Sequence, residues 1–243
     1  MSSSPTRFTS GVTQDASYQP LGMIGIPDPF FYATYADDFL PYDVGGYTVT
    51  AATGSVASVA GVGGRVILST TGVISDFVSM QEPAAGFSYI AGNKLAYLTR
   101  INLDSATLST VQVGLIQTSA TPLTVTNGFF FKKASGATAI TFTVMSGSAV
   151  QAVVTLPTVA VAATDIDLGF VVDRLGNVNI FCGTNLIGAK RQDFATLGPQ
   201  AKIYATSIAT PPAGLLNPTL VVQASTAVIR TMTADFQLAA QER

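Results

Sequence analysis

From Asp37 to the C-terminus the sequence breaks into strand-sized pieces in which apolar and polar residues alternate. "KLAYLTRINL" (94–103) sets Leu95, Tyr97, Ile101 and Leu103 on one face and Arg100 and Asn102 on the other. "TVQVGLIQ" (110–117) groups Val111, Val113 and Leu115, and "AITFTVMSG" (139–147) aligns Ile140, Phe142 and Val144 against Thr141 and Thr143. Successive side chains of a strand point to opposite faces, so a period of two marks a sheet with one buried side. "RVILST" (65–70), "DFVSMQ" (76–81), "GFFFKKA" (128–134), "KIYATSI" (202–208) and "TLVVQAS" (219–225) continue the series, separated by turn signals such as "GGR" and "SGA". β-branched residues and frequent glycine work against helix throughout. Roughly a dozen such strands in one chain predict a single all-β domain, a two-sheet antiparallel sandwich or jelly roll.

"LGFVVDRLGNVNIFCGTNLIG" (168–188) gathers Asp173, Arg174, Asn177, Asn179 and the only cysteine, Cys182, into a few positions. The segment reads as a hairpin. Leu168, Phe170 and Val172 face one way, Val178 and Ile180 return beside them, and Asn177 and Asn179 face solvent. Gly176 supplies the positive φ that a short loop requires, and Asp173 can accept backbone amides across the turn. Cys182 then serves as a small buried hydrophobe.

Composition removes several function classes. The chain has 11% charged residues and a formal net charge of −2, without the basic stripe of a nucleic-acid binder. "AVQAVVTLPTVAVAA" (149–163) is the most apolar stretch. It is shorter than the ~20 residues of a membrane span and carries Pro157, so it reads as strands. "MSSSPTRFTSGV" lacks the apolar region of a signal peptide, and one cysteine cannot build an intrachain disulfide.

The absence of histidine excludes Ser–His and Cys–His nucleophile pairs and, with one cysteine, the usual zinc sites. Glycan hydrolysis by two acids needs only carboxylates, yet the glutamates are Glu82, in an apparent loop, and Glu242, next to the end. Asp165 and Asp167, at i and i+2, would share a strand face, either as a paired acid or as the end of a loop. The Asp173, Asn177 and Asn179 cluster lacks the spacing of a calcium loop, and "AGVGGRV" (60–66) lacks the Lys-Ser/Thr and helix of a phosphate loop. We therefore expect no enzyme activity, catalytic residue, metal or cofactor. Sugar binding without catalysis stays open, with Tyr42, Tyr47, Tyr89 and Tyr97 as the available platforms in a chain without tryptophan.

Residues 1–36 differ in kind. Pro5, Pro20, Pro27 and Pro29 and an initial serine run leave no regular period, so the segment is read as an extended N-terminal arm preceding a sandwich over 37–243. Phe30, Phe31, Tyr32 and Tyr35 either dock on a partner or cover one end of the domain.

Taken together, "DDFLPYDVGGYTVTAATGS", "GNKLAYLTRINLD" followed by "VQVGLIQT", "NGFFFKK", "DLGFVVDRLGNVNIF" with "GTNLI" after it, and the closing "TMTADFQLAAQER" make the chain from about Asp37 to Arg243 resemble tailed-phage structural proteins of concanavalin-like jelly-roll fold, capsid decoration (cement) proteins among them. The resemblance implies a lectin-like sandwich on the virion's capsid surface, bound to a major capsid protein. It also implies a homo-oligomer, a dimer or trimer at a symmetry axis, with no nucleic-acid or membrane partner. Low charge and small-residue faces suit a scaffold that neighbours cover. The alternative expectation is a glycan-binding module of a phage tail fibre or spike.

Overall fold

The computed structural model describes residues 32–40, 42–59, 64–82, 86–184 and 199–243. Fifteen strands fall within them: β1 (Tyr32–Asp37), β2 (Thr48–Ala51), β3 (Ser55–Val59), β4 (Arg65–Ser69), β5 (Phe77–Gln81), β6 (Leu95–Leu103), β7 (Ser109–Ile116), β8 (Gly128–Lys133), β9 (Ala139–Ser146), β10 (Ala149–Val159), β11 (Asp165–Val172), β12 (Val178–Thr184), β13 (Ala201–Ile203), β14 (Asn217–Ala224) and β15 (Thr231–Glu242). Among the described residues the only helical pieces are two three-residue 3-10 turns.

Two antiparallel sheets face each other. The eight-stranded sheet runs β13-β12-β11-β6-β15-β4-β3. β4 and β1 share the remaining edge of β15, β4 against Thr231–Ala234 and β1 against Gln237–Glu242. The seven-stranded sheet runs β10-β9-β8-β7-β14-β5-β2. Fold class is thus the all-β, two-sheet, lectin-like sandwich that alternation predicts.

β1 begins inside the span assigned to the arm. Residues 32–36 are part of the sandwich, in register with Leu238–Glu242. "KIYATSI" is strand only to Ile203. The Ala205 amide donates to Asn177 Oδ1 (3.1 Å), and Ser207 and Ile208 amides close a 3-10 turn on Tyr204 and Ala205. A hairpin side chain therefore turns the chain where periodicity would have continued it.

The core lies between the sheets, with Phe170 at its centre. Its ring meets Phe142 at 5.2 Å, Phe129 at 5.7 Å, Tyr97 at 6.0 Å and Phe131 at 6.3 Å between centroids. Offset and tilted pairs at such separations are favourable for the ring quadrupoles. β7 approaches β8 closely at Gly114. A Cβ there would lie 2.6 Å from Phe130 Cα, and its φ of +154° suits glycine.

At one margin of the core the buried Lys133 ammonium donates to Ala106 O at 2.9 Å. Burial lowers its pKa to about 8, with Asp104 opposing only in part. Between pH 8 and the ordinary lysine value the unfolded chain binds the proton that the folded chain has lost, so stability rises with pH in that window. Burial also raises the phenols of Tyr35, Tyr47 and Tyr97 above the ordinary value of 10.0. Above pH 10 the unfolded state releases phenolic protons that the folded state keeps, and stability falls. Urea midpoints should rise from pH 8 to a maximum near pH 10, by on the order of 2 kcal/mol in unfolding free energy. Lys133→Met should flatten the rise.

Candidate functional site

The hairpin of β11 and β12, over the described residues 168–184, has a structural role. Asp173 Oδ1 accepts from the amides of Leu175 and Asn177, both at 2.9 Å, and Asn177 Nδ2 donates to Asp173 Oδ2 at 3.0 Å. Partial burial alone would raise the Asp173 pKa. The hydrogen bonds from Asn177 and Leu175 outweigh it and hold the carboxyl below its ordinary value. Gly176 has φ +81°. Cys182 is buried and burial pushes its thiol pKa up, which suppresses the thiolate that reactivity needs. Asn179 points away from the core as expected, but it is buried rather than solvated.

Asp165 and Asp167 do share a face, the outer face of the eight-stranded sheet, and each is ion-paired there. Arg100 Nε donates to Asp167 Oδ1 (2.7 Å) and Arg100 Nη2 to Asp167 Oδ2 (3.2 Å). Arg65 Nη2 reaches Asp165 at 3.1 Å and Arg65 Nε reaches Asp235 at 3.3 Å, while Asn102 Nδ2 donates to Asp165 at 2.8 Å. Burial works against the Arg100 charge, but Asp167 more than offsets it, so the guanidinium pKa stands above its ordinary value. These ion pairs tie β4, β6, β11 and β15 to one another across the face.

The seven strands of the other sheet contain no Asp or Glu. The β7–β8 connection, residues 117–127, lies over the outer face of β5, β7, β8 and β14. Ser119 N donates to Gln81 Oε1 (3.2 Å), Gln112 Nε2 to Pro122 O (2.7 Å) and Asn217 Nδ2 to Thr118 Oγ1. Val125 packs on Ile116 and Phe130 beneath it. Between the sheets, a void beside Lys133 lined by Val111, Phe131, Ile140 and Ile166 measures about 10 Å³, far below the size of a ligand pocket.

Of the expected contact residues, Phe30 and Phe31 lie outside the described residues. Tyr32 is buried on the outer face of the eight-stranded sheet. Tyr35 faces the core, where its hydroxyl bonds that of Tyr47, which in turn donates to Asp37. This clasp ties β1 in one sheet to the start of β2 in the other. Tyr42 stacks on Tyr47 (5.9 Å), Tyr89 packs on Phe129 (6.2 Å) and Tyr97 is in the core, so each of the four platform tyrosines is packed against the fold. Among the described residues the aromatic that is exposed is Tyr204, with Lys202 Nζ 5.1 Å from its ring centre. It lies just past the true end of β13, in a piece that alternation assigned to a strand.

The feature with the character of an interaction site is one end of the sandwich, where three loops meet. Between β4 and β5, Asp76 Oδ2 accepts from Thr71 N and Oγ1, both at 2.7 Å, and Ser75 N donates to Ala224 O at 2.9 Å. Between β14 and β15, Arg230 N donates to Thr70 Oγ1 (2.9 Å) and Arg230 Nη1 to Asp104 (3.2 Å). Ser225 N donates to Leu108 O (3.2 Å), bringing in the β6–β7 loop. With the polar groups turned inward to satisfy the backbone, the aliphatic side chains are left outside. Val73 is 59% exposed, Ile74 60%, Val228 53%, Ile229 56% and Leu108 39%. The sequence carries a signal for this patch that periodicity does not read: the same Val-Ile pair in two turn segments, "TTGVISD" and "STAVIRT".

The sequence matches no family model and no curated protein. Its fold is similar to solved structures at low identity. Peanut lectin aligns with a TM-score of 0.59 at 8% identity, over 86% of this chain and 97% of that one. An endo-1,3-beta-glucanase from Streptomyces sioyaensis aligns at 0.58 and 10%, over 88% and 98%. The CBM2 module of the evolved Dit of Lactobacillus casei BL23 phage J-1 aligns at 0.54 and 11%, over 86% and 96%. The shared property is the lectin-like sandwich.

Proposed function

We propose that the chain is a non-enzymatic virion structural protein, a capsid decoration (cement) protein that docks on the outer surface of a shell of major capsid protein. The observation that carries this reading is the aliphatic end formed by Val73, Ile74, Leu108, Val228 and Ile229. Contiguous exposed aliphatics mark protein contacts, whereas sugar recognition draws on aromatic faces and unspent polar groups. A phage module among the similar folds supports a virion setting, as does the resemblance to phage structural proteins. The likeness to a glucanase, at 10% identity, extends to fold alone, and the strands of the seven-stranded sheet carry no Asp or Glu. Self-association at a capsid symmetry axis, as a dimer or trimer, belongs to the same proposal.

Burying an Ile or Val side chain contributes about 1.5–3 kcal/mol, so two charges in the patch should abolish docking without touching the core. Heads lacking the protein, incubated with wild-type or Ile74→Asp/Ile229→Asp protein and sedimented, should retain the wild type and lose the variant by at least about tenfold in affinity. Equal occupancy by a folded variant would refute the docking surface.

The second reading is a glycan-binding module of a tail fibre or spike, favoured by the lectin-like fold and by exposed Tyr204 beside Lys202. A glycan array would support it if reproducible binding disappeared with Tyr204→Ala.

A further inference from the structure

Of the four strands that end the two sheets, one differs from the rest. β2 has four residues, β3 five and β13 three, short lengths that keep a sheet edge from recruiting another strand. β10 has eleven, Ala149–Val159, and among the described strands it pairs with β9 alone. No Asp, Glu, Lys or Arg occurs from Ala149 to Ala163. The far half of β10 is already engaged. Pairing with β9 is interrupted between Thr155 and Val159, Pro157 has no amide to offer, and Thr158 hydrogen-bonds Cys182 on β12 of the facing sheet. The near half, Ala149–Thr155, has a free edge. Among the described residues no main-chain group of Val150–Thr155 bonds to a strand other than β9. Gln151 bulges from the ladder, and its Oε1 accepts from Thr210 N at 3.1 Å. Ala152 and Val154 pack on the core, while Val150 and Val153 stand on the outer face opposite Met145 and Thr143, each more than half exposed. An apolar edge of this length without a guarding lysine is a template for a further strand.

We infer that β10 is a self-association edge, where a second copy of this chain adds its own β10 antiparallel about a two-fold axis. The seven-stranded sheets of the two copies then run on as one. Length and charge both select this occupant. β2, β3 and β13 are too short to cover Ala149–Thr155, whereas β10 meets its own copy over the whole run. A strand paired with itself sets like against like, which is costly wherever a charge stands. With no charge present, Val150 and Val153 meet apolar neighbours instead. A two-fold contact closes after two subunits. The inference rests on the self-association proposed above and selects its dimer over its trimer. An extended run of this length spans about 24 Å, and one strand edge buries well under the ~800 Å² per partner of a stable complex. The free dimer is therefore weak, with a Kd on the order of tens of micromolar.

Sedimentation equilibrium of the full chain between about 1 μM and about 1 mM should show monomer passing to dimer. Val153→Lys puts an ammonium group into the pairing on each copy and should weaken the dimer by at least about tenfold, whereas Val153→Thr should change it by less than about twofold. Cysteines introduced singly over residues 149–155 read the register, with the wild type, whose one thiol is buried, as the blank. Opposed Cα atoms of an antiparallel pair stand about 4.5–5.5 Å apart, within disulfide reach. Oxidation should therefore give covalent dimer at one position or two adjacent ones and not at the others. A chain that stays monomeric to about 1 mM overturns the inference. So does association unmoved by Val153→Lys, or cross-linking spread evenly along the run. The Ile74→Asp/Ile229→Asp variant keeps the two readings apart, because it should dimerise like the wild type whether or not either protein sediments with heads. Loss of the dimer in that variant would assign self-association to the aliphatic end and overturn the role of β10.

Discussion

Replacing Phe170 by alanine is expected to lower the unfolding free energy by about 3–5 kcal/mol, the range for removing a buried aromatic ring. Phe170 stands on β11 and touches rings on β6, β8 and β9, so its side chain joins both sheets. Four rings would face the cavity, each fixed on a hydrogen-bonded strand, and strands cannot collapse inward without breaking register. The cost should therefore lie toward the upper end. Urea denaturation read by near-UV circular dichroism measures it, and Phe170→Leu, which retains most of the volume, should lose markedly less. A loss below about 1 kcal/mol, the size of an ordinary single substitution, would show that the two sheets are not coupled through this ring.

Arg100→Met should cost a comparable amount, about 3–5 kcal/mol, because it removes the bidentate partner of a fully buried carboxylate. The asymmetry is the informative part. Asp167→Leu combined with Arg100→Met replaces two buried charges by apolar side chains on a face that is already apolar, and should recover most of the loss. A double-mutant cycle by urea unfolding separates the pair from its members. If the double variant is as unstable as the single one, then Arg100 acts mainly through Asp235, 3.8 Å away. A cycle with Asp235→Leu would then show the coupling.

How far the sequence could be read follows from what each residue answers to. Leu95, Tyr97, Ile101 and Leu103 against Arg100 and Asn102 were legible because side-chain direction in a strand is local. The hairpin at 173–177 was legible for the same reason, since Asp173, Gly176 and Asn177 satisfy one another within five residues. Asn179 was not. Alternation says that it faces away from the core, but whether that side is water or protein depends on what the rest of the chain lays over it. Likewise Asp165 and Asp167 were correctly placed on one face, while the arginines that pair with them, Arg65 on β4 and Arg100 on β6, lie 100 and 67 residues away in sequence. Tyr32 and Tyr35 looked like part of an arm because prolines precede them, and became β1 because β15 offers them an unpaired edge.

The sequence by itself determined the class of the fold. Period-two alternation with β-branched residues commits the chain to sheets. Only the tertiary structure decided which surfaces are spent and which remain. It laid residues 117–127 over β5, β7, β8 and β14 on the outer face of one sheet, placed an apolar cluster on the outer face of the other, and brought Val73, Ile74, Leu108, Val228 and Ile229 to one end. Those decisions rest on contacts between residues far apart in the chain. Local pattern specifies the direction of a side chain, but packing between distant segments determines what it meets.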